Sequence, residues 1–218
     1  MTDLSTRPGA DEWLPILECL LRGLAHGLGN RVSAVSALAD LSSDPSGLDE
    51  DFSLTSLLGN EGVAMRAMLQ VVRVLAPDGR PRPDAFVASE AVTDVLEIVQ
   101  LHADWRDWTM DASAASTQPA HALRVPRWAL VHALLVMIDR VTQGHAPAAL
   151  SLSLTGDDAS VSFVVSATHA PGYMPHSARA GACLEGLLPL LNATLHADGA
   201  SLRLTLPSLA ELRRRERA

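Results

Sequence analysis

His26 is the side chain in this sequence whose neighbours best suit chemistry. It lies in AHGLGNRVSAVSALADL (25–41), with Arg22 and Gly23 one turn before it and Asn30 one turn after it. Residues three and four positions apart share a helix face, so Arg22, Gly23 and Asn30 flank the imidazole. Gly23 is small and is expected to leave room for a docking partner. A nitrogen of neutral histidine can accept a phosphoryl group from an aspartyl phosphate. Asn30 or Arg22 could bind the phosphoryl oxygens or orient the ring, so all three side chains are predicted to be catalytic.

The helix that carries His26 is predicted over Trp13–Leu41. Its apolar residues recur in steps of three and four, which keeps one stripe along the helix and approximates a coiled-coil seam. The stripe consists of Leu14, Leu17, Leu21, Leu24, Leu28, Val32, Val35 and Leu38. His26 falls between Leu24 and Leu28, so we expect its ring to point away from the stripe and to be exposed.

A second helix is predicted over Asp51–Ala76, after the segment SSDPSG (42–47), in which Pro45 cannot continue the first helix. Its apolar side is formed by Leu54, Leu57, Leu58, Met65, Met68, Val71, Val72 and Leu75. A hairpin alone leaves half of each stripe uncovered. We therefore expect residues 12–76 to form a four-helix bundle with a second chain, which makes the protein a homodimer.

A second domain is predicted over residues 84–207, beyond the Pro- and Gly-rich segment PDGRPRPD (77–84). Its predicted elements are helices over Val87–Leu101, Trp128–Val141 and Ala182–Leu195, a β-hairpin over 149–167 that turns at GDD (156–158), and a strand over Ser201–Pro207. The expected fold class is α+β, with an N-terminal antiparallel helical hairpin followed by an α/β sandwich. Residues 1–11 and 208–218 are predicted to be flexible tails.

Composition narrows the function classes. The formal net charge is -8 and the only basic cluster is RRRER (213–217), so nucleic acid is not an expected partner. Cys19 and Cys183 are far apart, which excludes a disulfide framework and favours a reducing cytoplasm. The polar N-terminus and the lack of an apolar run of about 18 residues argue against export and against a membrane partner. The other histidines lack metal-site spacing, so no metal is predicted.

The segment HGLGNRVSAVSALADL (26–41) resembles the H-box of two-component histidine kinases, in which a His, an Asn or Thr four residues on, and an apolar run recur. An H-box helix, a return helix, a linker and an α+β domain are also the layout of a kinase's dimerisation and ATP-binding domains. The resemblance extends from about Glu12 to Pro207. It implies that His26 is the phosphoacceptor, with Asn30 and Arg22 as its neighbours in the site.

The second domain departs from that family where ATP would be held. Leu135 stands in place of the metal-binding Asn, and a leucine cannot ligate magnesium. Ala167 or Thr168 stands in place of the Asp that binds adenine. Gly181 is all that remains of the Gly-rich loop, and Pro175–Ala180 is too short for an ATP lid. We therefore expect a degenerate ATPase-like domain that uses no cofactor.

A kinase-like shape without an ATP site resembles the bacterial phosphotransferases that relay phosphate between a hybrid kinase and response regulators in cell-cycle control. The resemblance implies a histidine phosphotransfer protein whose partners are receiver domains and whose His26 carries the phosphate. Gly27 replaces the acidic residue that usually follows the histidine. This departure favours an alternative, in which a non-catalytic, kinase-like adaptor binds a response regulator and His26 is vestigial. A diverged but active kinase is the third and least favoured hypothesis.

Overall fold

The computed structural model describes residues 9–43, 53–75, 82–112, 121–142, 147–169 and 181–218. Four features of the sequence lie outside these ranges, namely residues 1–8 of the predicted N-terminal tail, the turn residues 44–47, the linker residues 77–81 and the segment Pro175–Ala180. Residues 10 and 11, which were also expected to be flexible, are helical. Within the described ranges, no helix combines the length and the apolar character that a membrane span requires.

The chain begins with two long helices, α1 (Ala10–Ser43) and α2 (Leu54–Leu75). They are joined by an ion pair in which Arg31 Nη1 lies 2.9 Å from Glu61 Oε1. Nearer the middle of α1, Gly27 lies against the end of the Met68 side chain. Because the contact position advances along α1 while it retreats along α2, the two helices form an antiparallel hairpin.

The second part of the chain alternates short strands and helices. Its elements are β1 (Asp84–Val87), α3 (Ala88–Leu101), β2 (Met110–Asp111), β3 (Ala122–Val125), α4 (Arg127–Thr142), β4 (Ala149–Gly156), β5 (Ser160–Thr168), α5 (Ala182–Leu191), β6 (Thr194–Asp198), β7 (Ser201–Pro207) and α6 (Leu209–Arg217). Five strands form one sheet in the order β2-β4-β5-β7-β6, while β1 and β3 pair separately. The pair β2-β4 is parallel and the other pairs are antiparallel, so the sheet is mixed.

One hydrophobic core extends across both parts of the molecule. Alternate residues of β4, β5 and β7 are buried, as period-2 strands with one covered face require. Helix α4 is buried along nearly its whole length. The hairpin adds Ile16, Leu20, Leu24, Val71 and Leu75 to the same cluster. The hairpin therefore packs directly on the second domain.

The α+β prediction is confirmed, with a helical hairpin followed by a mixed α/β sheet domain. The predicted β-hairpin is also present. At its turn the carboxylate of Asp157 accepts hydrogen bonds from the backbone N–H groups of Ala159 and Ser160, at 2.8 and 2.7 Å. Asp is common in turns because its side chain can accept such hydrogen bonds from the backbone nearby.

Two sequence predictions near the C-terminus are wrong. The helix expected over Ala182–Leu195 ends at Leu191, because Asn192 adopts a left-handed conformation (φ 49°) and β6 follows. The flexible tail expected over 208–218 is helical over Leu209–Arg217. Ser208 caps that helix, since its Oγ accepts from the Glu211 N–H at 3.1 Å and donates to the Asp158 carbonyl.

The apolar stripe of α1 also differs from the prediction. Leu14, Leu21 and Val32 are 40%, 51% and 58% exposed, whereas Ile16 and Leu20, which lie outside the predicted stripe, are buried. The helix has two apolar sides, and spacing alone did not indicate which of them meets the second domain. The side that contains Leu21 and Val32 remains uncovered in a single chain.

Candidate functional site

His26 is exposed on α1, whereas Leu24, two positions earlier, is buried. This is the orientation expected from its place between two stripe positions. A helix more than thirty residues long fixes the backbone on both sides of it. The imidazole is therefore presented to solvent from a rigid element.

Asn30 is the residue that the structure brings to the His26 ring. Its Nδ2 lies 3.2 Å from Nε2 of His26. An amide nitrogen can only donate, so this contact places the ring proton on Nδ1 and an unshared electron pair on Nε2. In this tautomer Nε2 is the ring nitrogen with an electron pair available to act as a nucleophile.

The structure does not bring the Arg22 guanidinium to His26. Arg22 Nη2 instead lies 3.0 Å from Glu18 Oε1, one turn towards the N-terminus, and both side chains are well exposed. Glu18 and His26 are each four residues from Arg22, so either could have been its partner. The acidic residue at position 18 was the signal in the sequence for this pairing.

The glycines around His26 have different surroundings. A Cβ at Gly23 would overlap the carbonyl oxygen of Leu101, so this glycine allows α1 to approach the end of α3 and leaves no room for a partner. The expectation of free space at Gly23 is therefore wrong. A Cβ at Gly27 would lie 2.8 Å from the Met68 methyl, on the side that faces α2. Of these three glycines, only Gly29 has no other atom within 4 Å of a Cβ position.

The segment after α3 lies beside α1, on the N-terminal side of His26. His102 stacks on Trp105 with 3.8 Å between ring centroids, and both rings are buried. Burial lowers the pKa of His102 to about 4. Cys19 of α1 contacts Asp104 of this segment at 3.5 Å, and burial followed by that hydrogen bond raises the pKa of the thiol. The aromatic residues of LHADWRDW (101–108) could have indicated this packed segment.

Two of the residues expected in place of ATP-binding side chains are buried, whereas the third, Thr168, is exposed. Leu135 is fully buried in α4, and Ala167 is buried in β5. One turn after Leu135, burial raises the pKa of Asp139. In the part of the chain that the structure describes, no group of three His, Cys, Asp or Glu side chains could hold a metal ion.

No protein-family model matches the sequence, and neither does any curated protein. Several solved structures are similar in shape. The histidine kinase AdeS of Acinetobacter baumannii is 13% identical with a TM-score of 0.40, over 84% of this chain and 96% of that chain. A bacterial phosphotransferase is 16% identical with a TM-score of 0.37, over 88% and 95%. The histidine kinase ThkA, in complex with the response regulator TrrA, is 12% identical with a TM-score of 0.44, over 91% and 64%.

These identities and TM-scores establish neither a family nor an activity for this chain. The fold assignment rests on the element order, the sheet topology and the shared core described above.

Proposed function

We propose that this protein is a histidine phosphotransfer protein that relays phosphoryl groups between receiver-domain aspartates through His26, without using ATP. The observation that carries the proposal is the exposed imidazole on α1, whose Nε2 electron pair is paired with the Asn30 amide. Residues 12–76 are proposed as the dimerisation and phosphotransfer hairpin. Residues 84–207 are proposed as the degenerate ATPase-like domain.

The first transfer begins when Nε2 attacks the phosphorus of an aspartyl phosphate. A nitrogen–phosphorus bond forms, the phosphorus–oxygen bond to the aspartate breaks, and the carboxylate leaves with the bonding electrons. Nδ1 keeps its proton throughout, so the step needs no general base. The positive charge on the phosphorylated ring lies next to the negative phosphoryl oxygens.

The second transfer reverses this sequence on another receiver domain. An aspartate oxygen attacks phosphorus, the nitrogen–phosphorus bond breaks, and the ring returns to its neutral form. Before the first attack the Asn30 amide must turn away from the Nε2 electron pair. In its new position the amide can donate to a phosphoryl oxygen, which stabilises the charge that builds up there.

Arg22 is proposed to assist only after a partner has docked. In the free chain its guanidinium is paired with Glu18 on an exposed part of the helix, where an ion pair contributes about 0.3–0.5 kcal/mol. A phosphoryl group with two or three negative oxygens competes well against one carboxylate. The rotation of one exposed side chain is enough to move the cation towards His26.

The proposal includes a homodimer formed through the hairpin. The exposed apolar residues of α1 and α2 are Leu14, Leu21, Val32, Leu41, Leu57, Leu58, Val63, Leu69 and Val72. Isolated exposed apolar residues are ordinary, but this many on one hairpin favour burial against a partner. A second copy offers the same surface and closes a four-helix bundle.

The alternative function is a non-catalytic adaptor that binds a response regulator. One observation favours it: a Cβ at position 27 would lie 2.8 Å from the Met68 methyl of α2, so the hairpin packing leaves little room for an acidic side chain directly after His26. An adaptor needs the exposed surface around His26 but not its nucleophilic nitrogen. The two functions therefore differ in whether His26 is phosphorylated.

The test is phosphate transfer from a phosphorylated receiver domain to the 218-residue chain. Wild type is compared with His26→Ala and with His196→Ala, a matched control in which an exposed histidine is removed from β6. The relay predicts labelling of wild type and His196→Ala but not of His26→Ala. Receiver binding without labelling would support the adaptor, and labelling from ATP alone would indicate a kinase.

A further inference from the structure

Glu12, in the first turn of α1, reaches across to the start of α5. Its Oε1 accepts a hydrogen bond from the Ala182 N–H at 3.0 Å, and its Oε2 accepts one from the Cys183 N–H at 3.1 Å. The same Oε1 lies 2.6 Å from Nη2 of Arg140, at the end of α4. One carboxylate thus connects the hairpin to two helices of the second domain.

The chemistry of this contact is favourable. The first N–H groups of a helix have no partner within the helix, and the helix dipole adds positive charge there. The N-cap residue of α5 is Gly181, which has no side chain to satisfy those groups. A carboxylate from elsewhere in the chain therefore completes the helix end with charge-assisted hydrogen bonds. Only 22% of the Glu12 side chain is exposed, so solvent and salt screen the contact weakly.

Two glycines, Gly181 and Gly9, leave the space that this carboxylate and the start of α1 occupy. A Cβ at Gly181 would overlap both Glu12 oxygens and Nη2 of Arg140. A Cβ at Gly9 would overlap the backbone of Cys183, so the start of α1 lies directly on the first turn of α5. Both glycines are therefore required for the two elements to approach this closely.

A ring contact lies beside the carboxylate on α1. Trp13 stacks on His132 of α4 with 4.1 Å between ring centroids, and Nε2 of His132 donates to the Val74 carbonyl of α2 at 3.2 Å. These contacts are a ring stack and one hydrogen bond. Glu12 supplies the charged contact at this junction, because its carboxylate meets both the start of α5 and Arg140.

We propose that Glu12 is an intramolecular latch: its carboxylate, held by the α5 N-terminus and Arg140, fixes the second domain in one orientation against the hairpin. When the latch is released, the start of α1 separates from α5 while both parts stay folded. This inference is independent of phosphotransfer, because it concerns only how the two parts of the chain are held together.

Cys183 reports on the latch. Burial, and then the nearby Glu12 carboxylate, raises the pKa of this thiol to about 11. The thiolate is the reactive form, so the closed state protects Cys183 from alkylation at pH 8. Opening the latch exposes the thiol and removes both causes of its raised pKa.

The experiment measures the alkylation rate of Cys183 in the full chain, with Cys19→Ser in the background so that one thiol responds. Glu12→Gln removes the charge of the latch. Gly181→Ala displaces the carboxylate and keeps its charge, so a faster rate there cannot come from charge removal. Asp11→Asn is the matched control, since it removes one carboxylate from the same helical turn at an exposed position.

We expect Glu12→Gln and Gly181→Ala to be alkylated about tenfold faster than wild type, because each loses hydrogen bonds to a charged group. Asp11→Asn should react at the wild-type rate, and all variants should keep the helical circular dichroism signal. Unchanged rates in folded Glu12→Gln and Gly181→Ala would overturn the proposal. Loss of the helical signal in both would also overturn it, since a latch opens without unfolding either part.

Discussion

The residues around His26 are explained in part by chemistry and in part by packing. The exposure of His26 and its contact with Asn30 follow from helical spacing, and both could be predicted from the sequence. The pairing of Arg22 with Glu18 was also open to prediction, because a carboxylate four residues away is a better partner for a guanidinium than the imidazole at the same spacing. Gly23 was misjudged because its neighbour, the Leu101 carbonyl, is distant in sequence.

The role of the Asn30 amide is tested by Asn30→Ala. We expect transfer from a phosphorylated receiver to slow by about tenfold or more, because a donor to the phosphoryl oxygens is lost. The melting temperature should change little, since the side chain is exposed. Ser33→Ala is the control: it removes an exposed hydroxyl that is bonded to the Gly29 carbonyl, and it should transfer at the wild-type rate. Equal rates for both variants would remove Asn30 from the mechanism.

At the scale of single elements, the predictions succeeded where the hydrophobic pattern extends over many residues. Helices α1, α2 and α4 and the strands β4, β5 and β7 all lie where their patterns placed them. The short strands β1, β2, β3 and β6 were missed, because two to five residues give too little period to recognise. Helix α6 was missed because a charged, exposed segment has no apolar stripe. Its N-cap residue, Ser208, was the signal in the sequence for this helix.

The close approach of α1 to α3 at Gly23 and the open space at Gly29 predict opposite changes in stability when these two glycines are replaced by alanine. Gly23→Ala should lower the free energy of unfolding by about 2 kcal/mol, because the new methyl overlaps the Leu101 carbonyl. Gly29→Ala should raise it by about 0.5–1 kcal/mol, because its site is open and alanine favours the helix. Urea unfolding of both variants measures the difference. Destabilisation of similar size at the two sites would contradict the packing described here.

The segment after α3 predicts a pH dependence of stability. Burial lowers the pKa of His102 from 6.5 to about 4, so between these values the unfolded chain binds a proton that the folded chain excludes. This residue therefore lowers stability as the pH falls from 6.5 towards 4 and has no such effect above 6.5. In melting curves over this range, His102→Gln should lose less stability on acidification than wild type. His196→Gln, at an exposed site, should behave like wild type.

At the scale of the whole molecule, the sequence indicated two domains but not the core that they share. Helix α1 is apolar on two sides, and the period of its stripe fits either of them. Only the three-dimensional packing shows that Ile16 and Leu20 face the second domain. The domain boundaries and the cytoplasmic location stay predictions from the sequence.

The uncovered side of the hairpin predicts the oligomeric state. Leu69 is 54% exposed on α2, on the same side of the helix as Leu58 and Val72, so Leu69→Glu should cost little in a single chain and should place a charge inside the dimer interface. We expect light scattering to give the mass of two chains for wild type and of one chain for this variant. Leu190→Glu, at an exposed apolar position on α5, is the matched control and should remain dimeric. A monomeric wild type would rule out the four-helix bundle.

The central claim, that His26 carries the phosphoryl group, is tested most directly by locating the phosphate after the transfer reaction. The protein is labelled from a phosphorylated receiver domain, digested at neutral pH without acid, and its phosphopeptides are identified by mass spectrometry. The account predicts a phosphohistidine at His26 whose phosphate moves to a second receiver when that receiver is added. Phosphate on another histidine, or a chain that binds the receiver and stays unlabelled, would contradict the account.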